Sequence, residues 1–63
     1  MKNNLRKIMK EKHITQRYIG YKTGYTPQAI GRFVRGEALP NVILAQIIAK
    51  ILGVDVSEIW EVE

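Results

Sequence analysis

A chain of 63 residues has room for one domain, expected to run over 1–63, and a domain of that size buries only about 60% of its unfolded surface. It contains no cysteine, which excludes disulfides and thiolate metal sites and leaves helix packing, alone or with a partner subunit, to hold it together. The net charge of +4 is unevenly spread: residues 1–36 carry nine Lys/Arg against one Glu, a net of +8, while residues 37–63 carry one Lys against five Asp/Glu, a net of −4. One half suits a polyanion and the other does not.

The start, Met1-Lys2-Asn3-Asn4, leads into a charged helix rather than an apolar leader segment. From Asn4 to Lys12 the residues Leu5, Ile8 and Met9 recur at i, i+3 and i+4 with Lys and Arg between them, which predicts an amphipathic helix. His13 stands where a left-handed residue would end it. Thr15 reads as the N-cap of a second helix, Gln16 to Thr23, closed by Gly24. Thr26 then caps a third, with Pro27 at the first helical position, where its missing N–H costs nothing. This helix is expected to reach Arg35, with Gly36 as its stop. After the loop Glu37–Pro40, Asn41 caps a fourth helix through Leu52, closed by Gly53. Asp55-Val56-Ser57-Glu58 carries the capping-box spacing for a short fifth helix with Ile59 and Trp60. The expected fold is all-α, with five short helices. Its most apolar stretch, Val42 to Val54, is too short and too polar to span a bilayer, and a cytoplasmic location is expected.

Helix, glycine turn and helix over about 15–36 make a helix-turn-helix unit. Gly24 supplies the left-handed conformation of the turn, and Gly20 lets the helices approach so that Ile19 and Ile30 can pack. On the Pro27–Arg35 helix, Ile30, Phe33 and Val34 share the inward face, whereas Gln28, Arg32 and Arg35 form an outward row flanked by the small Ala29 and Gly31. Gln matches the N6/N7 edge of adenine, and Arg the O6/N7 edge of guanine. A glycine at 31 is expected because a side chain there would collide with a nucleic-acid backbone or base.

Leu5-Arg6-Lys7-Ile8, Ile14-Thr15-Gln16, Gly24, Thr26, Ile30, Arg35-Gly36, Pro40, Ala49-Lys50-Ile51-Leu52-Gly53-Val54 and Ile59 together resemble the Cro/CI-type (Xre) helix-turn-helix repressors of phages and bacterial chromosomes. The resemblance implies a lambda-repressor-like domain that binds double-stranded operator DNA, usually as a two-fold dimer. By position, it makes Gln16 a phosphate contact, Pro27, Gln28, Ala29 and Arg32 base-reading positions, and Arg35 a phosphate contact. Thr15, Arg17, Thr26 and Gly31 complete the expected DNA-facing set. The chain departs from the family at Gly20, Thr23 and His13, where Ala, Leu and Gly are common. The family also often pairs an Arg in the first helix with a Glu before the Arg-Gly. Here Met9 and Val34 replace both charges together, so neither is stranded, and the two side chains are expected to meet in the core.

In the Asn41–Leu52 helix, Val42, Ala45, Ile48, Ala49 and Leu52 are assigned to the core, and Ile43, Leu44, Ile47 and Ile51 to a second stripe. Ile43, Ile47, Trp60 and Val62 are the expected homodimer interface, with Trp60 as its anchor. The same surplus of apolar surface fits a protein-interaction module, such as an antitoxin or adaptor on this fold. One His, no nucleophile–base pair and no Gly-rich phosphate loop argue against an enzyme, and neither a metal nor a cofactor is expected.

Overall fold

In the computed structural model, which describes residues 1–62, the five helices follow one another where the periodicity and caps place them. They are α1 (Leu5–Lys12), α2 (Gln16–Thr23), α3 (Pro27–Val34), α4 (Val42–Leu52) and α5 (Val56–Ile59). The Thr15 and Thr26 hydroxyls accept from the N–H groups of Tyr18 and Ala29 at 3.0 and 3.1 Å, and the Asn41 carboxamide accepts from Leu44 at 2.8 Å. Each cap satisfies one of the N–H groups that a first turn leaves unpaired. Asp55 and Glu58 close the capping box that starts α5, where the Glu58 carboxylate accepts from the Asp55 N–H at 2.8 Å. His13 ends α1 in the left-handed conformation, with φ 58°, and the following Ile14 N–H returns to the Met9 carbonyl at 2.9 Å. The end of α3 falls one residue early, with Arg35 taking the cap position.

Two short strands accompany the helices: β1 (Lys2–Asn3) pairs antiparallel with β2 (Trp60–Glu61), Asn3 opposite Trp60 and Lys2 opposite Glu61. Two-residue strands carry no periodicity, so the sequence gives no sign of them. Asn3 does more than pair. Its side-chain oxygen accepts from the Leu5 N–H at 3.0 Å, and its amide donates to the Phe33 carbonyl at 2.9 Å. That ties the first residues to the end of α3, while the Asn4 N–H reaches the Ile59 carbonyl at 2.7 Å. The segments around β1 and β2 are thereby held against the helices.

The buried side chains form one cluster. Leu5, Ile8 and Met9 come from α1, Ile19 from α2, Ile30, Phe33 and Val34 from α3, and Leu44, Ala45, Ile48, Ala49 and Leu52 from α4, with Ile59 and Trp60 below. Met9 and Val34 are both buried in it, on helices that pack together. Gly20 works as expected: a Cβ there would stand 2.5 Å from the Tyr25 carbonyl oxygen, which is backbone and cannot swing aside. Gly24, with φ 82°, turns the chain between the two helices.

Two expectations about α4 and the chain end need correction. Val42 is 72% exposed, and Leu44, assigned to the outer stripe, is buried in its place. The outward direction of α4 is marked by its two polar residues, Gln46 and Lys50, and at about 100° per residue Ile48, Leu44 and Leu52 lie opposite them. Trp60 is 8% exposed and belongs to the protomer's own core, so it is not a free anchor for a second subunit.

Candidate nucleic-acid interface

The outward surface of α3 is built as its sequence implies. Ile30, Phe33 and Val34 turn inward, so Gln28, Arg32 and Arg35 are left exposed on the opposite side, with Pro27 and Thr26 exposed at the start of the helix and Ala29 half-buried. Thr15, Arg17 and the half-buried Gln16 stand at the N-terminus of α2, where the backbone N–H groups and the helix dipole favour an anion.

Gly31 joins these two groups. It is buried rather than open on the α3 face. A Cβ at this position would lie 2.9 Å from Gln16 Oε1 and 3.0 Å from Arg35 Nη1. The missing side chain therefore makes room for the Gln16 side chain from α2 and the Arg35 side chain from the end of α3 to lie over the same backbone atom. Periodicity places Gly31 beside the row but does not show which side chains lean across it.

Glu37 is a member of the site that sequence reasoning missed. Its carboxylate accepts from Arg35 Nε at 2.6 Å, with both side chains about half exposed. This bond, together with the nearby charges of Arg35 and Arg32, holds the Glu37 carboxyl below its usual range, and the same bond with the Glu37 charge raises the Arg35 guanidinium above its own. Because the carboxyl is depressed, the pair is fully in place above the ordinary Glu value and is lost as pH falls through the lowered one. An exposed pair of this kind adds little to stability. What it does is orient: with Nε engaged, the Nη groups of Arg35 remain to meet another acceptor. The available signal is a carboxylate two residues beyond an Arg across a glycine turn.

The residues expected at a dimer interface are not brought together. Ile43 and Ile47 line a hollow with Thr23 and Tyr25 on the α2 side of α4, whereas Trp60 borders a different hollow with Leu39 and Val42. Val62 is exposed beyond β2. Among the described residues no helix is long and apolar enough to cross a membrane.

A capped helix, a left-handed glycine turn and a second helix showing a Gln/Arg row define a helix-turn-helix DNA-binding domain. The chain belongs to the Helix-turn-helix family of the Cro/CI (Xre) type, whose family model matches residues 5–59. It is therefore a DNA-binding domain of the transcription-regulator class. No curated protein matches it.

The geometry over Gly31 separates fold from function experimentally. Gly31→Ala should leave stability unchanged or raise it, since Ala exceeds Gly in a helix interior by about 0.5–1 kcal/mol and both obstructing groups are flexible side-chain ends. The displaced Gln16 and Arg35 should lower DNA affinity by roughly tenfold, about 1.4 kcal/mol. Thermal melting and DNA titration of the same preparation check this. Parallel losses in both would reduce Gly31 to a packing position.

Proposed function

We propose that the whole chain acts as a cytoplasmic transcriptional repressor, without catalytic activity, that binds a palindromic operator as a two-fold dimer. Each copy lays α3 in the major groove and the start of α2 across the sugar-phosphate backbone. The observation that carries this reading is the convergence of Gln16 and Arg35 over Gly31, beside the exposed Gln28 and Arg32. That convergence supports the reading, because an interface that both positions the protein and reads sequence needs phosphate-directed and base-directed side chains side by side. Repression then follows from occupancy, since a groove filled by α3 is closed to other proteins. The basic half supplies affinity that falls with salt.

Selection of bound duplexes from a random pool tests the reading. It should return a palindrome whose half-sites lie about one helical turn, roughly 34 Å, apart. A pool that shows no enrichment would sink it. The second reading, an adaptor or antitoxin, draws on the exposed Tyr25, Ile43 and Ile47, and predicts that duplex binding needs a protein partner.

The Arg35–Glu37 pair offers a second measurement. Arg35→Ala should weaken binding to all sequences alike and lower the salt slope by about one. Glu37→Gln should do the reverse, raising affinity for every duplex, because it frees the Arg35 Nε and removes a negative charge beside the phosphates. Titrations at two salt concentrations read both. A change in base preference in either variant would place Arg35 on a base instead.

A further inference from the structure

Asn3 is half-buried, and both ends of its carboxamide are engaged within the protein. Its backbone lies in β1 opposite the buried Trp60. Its Oδ1 accepts from the Leu5 N–H at 3.0 Å, and its Nδ2 donates to the Phe33 carbonyl at 2.9 Å. A donor on one side and an acceptor on the other leave the carboxamide one way to point. The acceptor lies 30 residues further along the chain, in the last turn of α3. The residues that follow carry both members of the ion pair at the site, Arg35 and Glu37, on either side of the left-handed Gly36. We infer that Asn3 is a positioning residue for DNA binding: through the Phe33 carbonyl it fixes the end of α3, and with it the direction in which Arg35 meets a phosphate. The inference rests on the proposed phosphate role of Arg35 and adds to it a residue from outside the helix-turn-helix.

The Gly36 and Glu37 N–H groups return to the Phe33 and Arg32 carbonyls at 3.2 and 2.9 Å. These bonds close the helix end but join it only to itself. Arg35 and Glu37 are about half exposed, so packing does not fix either side chain. Among the described residues, Asn3 is the one side chain that hydrogen-bonds the backbone of residues 33–37. Its Nδ2 also faces Gly36, where a Cβ would stand 3.8 Å from it, so the amide lies against the turn at two points. Asn3 is itself well anchored, by its pairing with Trp60 and by the Asn4 N–H bond to the Ile59 carbonyl at 2.7 Å. A helix end held in this way has less freedom to lose when Arg35 engages a phosphate, which raises affinity without a new contact to DNA. Asn4 provides the contrast. Its carboxamide donates to the Glu58 carbonyl at 3.0 Å and to the Glu61 carboxylate, so it ties the same segment to α5 and β2 rather than to α3.

The experiment is a double-mutant cycle on DNA affinity, with Asn3→Ser, Arg35→Ala, the two combined, and Asn4→Ala as control. Serine keeps a hydroxyl for the Leu5 N–H two residues on but is too short to reach Phe33. The Phe33 carbonyl still accepts from Gly36, so no acceptor is orphaned and the variant should fold, as melting curves check. Each protein is titrated with a mixed-sequence duplex at two salt concentrations, well below the lowest melting temperature of the set. Asn3→Ser should weaken binding by about three- to tenfold, the scale of one hydrogen bond, and flatten the salt dependence in the same direction as Arg35→Ala. In the Arg35→Ala background the same change should weaken binding by less than about twofold, because no guanidinium is left to position. Asn4→Ala should lower the melting temperature and leave the affinity of the folded protein unchanged. Wild-type affinity in Asn3→Ser, or an equally large loss in the Arg35→Ala background, would make Asn3 a stabilising clip alone and overturn the inference, with the DNA-binding reading intact. A loss in Asn4→Ala as large as that in Asn3→Ser overturns it too, since loosening of the first residues would then explain both. If Arg35→Ala itself binds like the wild type, the phosphate role of Arg35 fails, and this inference with it.

Discussion

Val34→Glu should remove a large share of the domain's stability at 25 °C. Val34 is buried on α3 in the same apolar cluster as Met9, and the new carboxyl would find no buried cation there. An uncompensated charge in such a place costs about 3–5 kcal/mol, and a chain of this length has roughly 3–9 kcal/mol in all at typical per-residue values. Two further readouts identify the cause. The introduced carboxyl is stable in the interior only when neutral, so its pKa is raised and the variant should regain stability as pH falls from 7 towards 5, the opposite of a depressed carboxylate. Adding Met9→Arg should recover part of the loss, with a coupling of about 1 kcal/mol or more in a double-mutant cycle. Thermal melting followed by circular dichroism measures all three. A single variant as stable as the wild type would mean that position 34 does not face the core.

Most of the fold was legible because local signals agreed with one another. Thr15, Thr26, Asn41 and Asp55 each announce a helix start through a side chain that can accept a backbone N–H, and each does so in the structure. The errors fall where a local signal was weak or ambiguous. In α4 only Gln46 and Lys50 are polar, so counting apolar positions does not choose between arcs. The direction of those two residues places Ile48 at the buried centre and Val42 on the outward face, one turn before Gln46. Trp60 was assigned to a partner because a large aromatic near a chain end lacks a periodic context; its strand pairing with Asn3 depends on residues far apart in sequence.

The candidate site divides in the same way. The Gln28/Arg32/Arg35 row is a property of one helix and could be read from spacing alone. The seat at Gly31 and the role of Glu37 depend on how α2 meets α3 and on how the chain leaves α3. Those are tertiary facts, and the sequence supplied only a glycine that is costly in a helix and a carboxylate near an arginine. The sequence marks the glycine as special, but does not show that side chains of the protein itself fill the space beside it.

Arg32→Ala should lower affinity for the selected operator by about 1–3 kcal/mol and relax preference at one base pair. Arg32 is exposed on α3, one turn beyond Gln28, which stands in the first turn where such helices reach base edges. It differs from Arg35 in one way that matters. Glu37 feels the charge of both arginines but is hydrogen-bonded to Arg35, so the Arg32 fork is free to pair with the O6 and N7 of a guanine. Arg32→Lys distinguishes that role from simple attraction to phosphate. Lysine keeps the charge but loses the planar pair of donors, so the variant should hold its salt slope and non-specific affinity while losing the base preference. Alanine should lose the preference as well, and lysine and alanine should then rank the single-base operator variants alike. The measurement is titration of each protein against the operator and its single-base variants at two salt concentrations. If Arg32→Ala leaves both affinity and base preference unchanged, α3 does not read the sequence and the interface lies elsewhere on the domain.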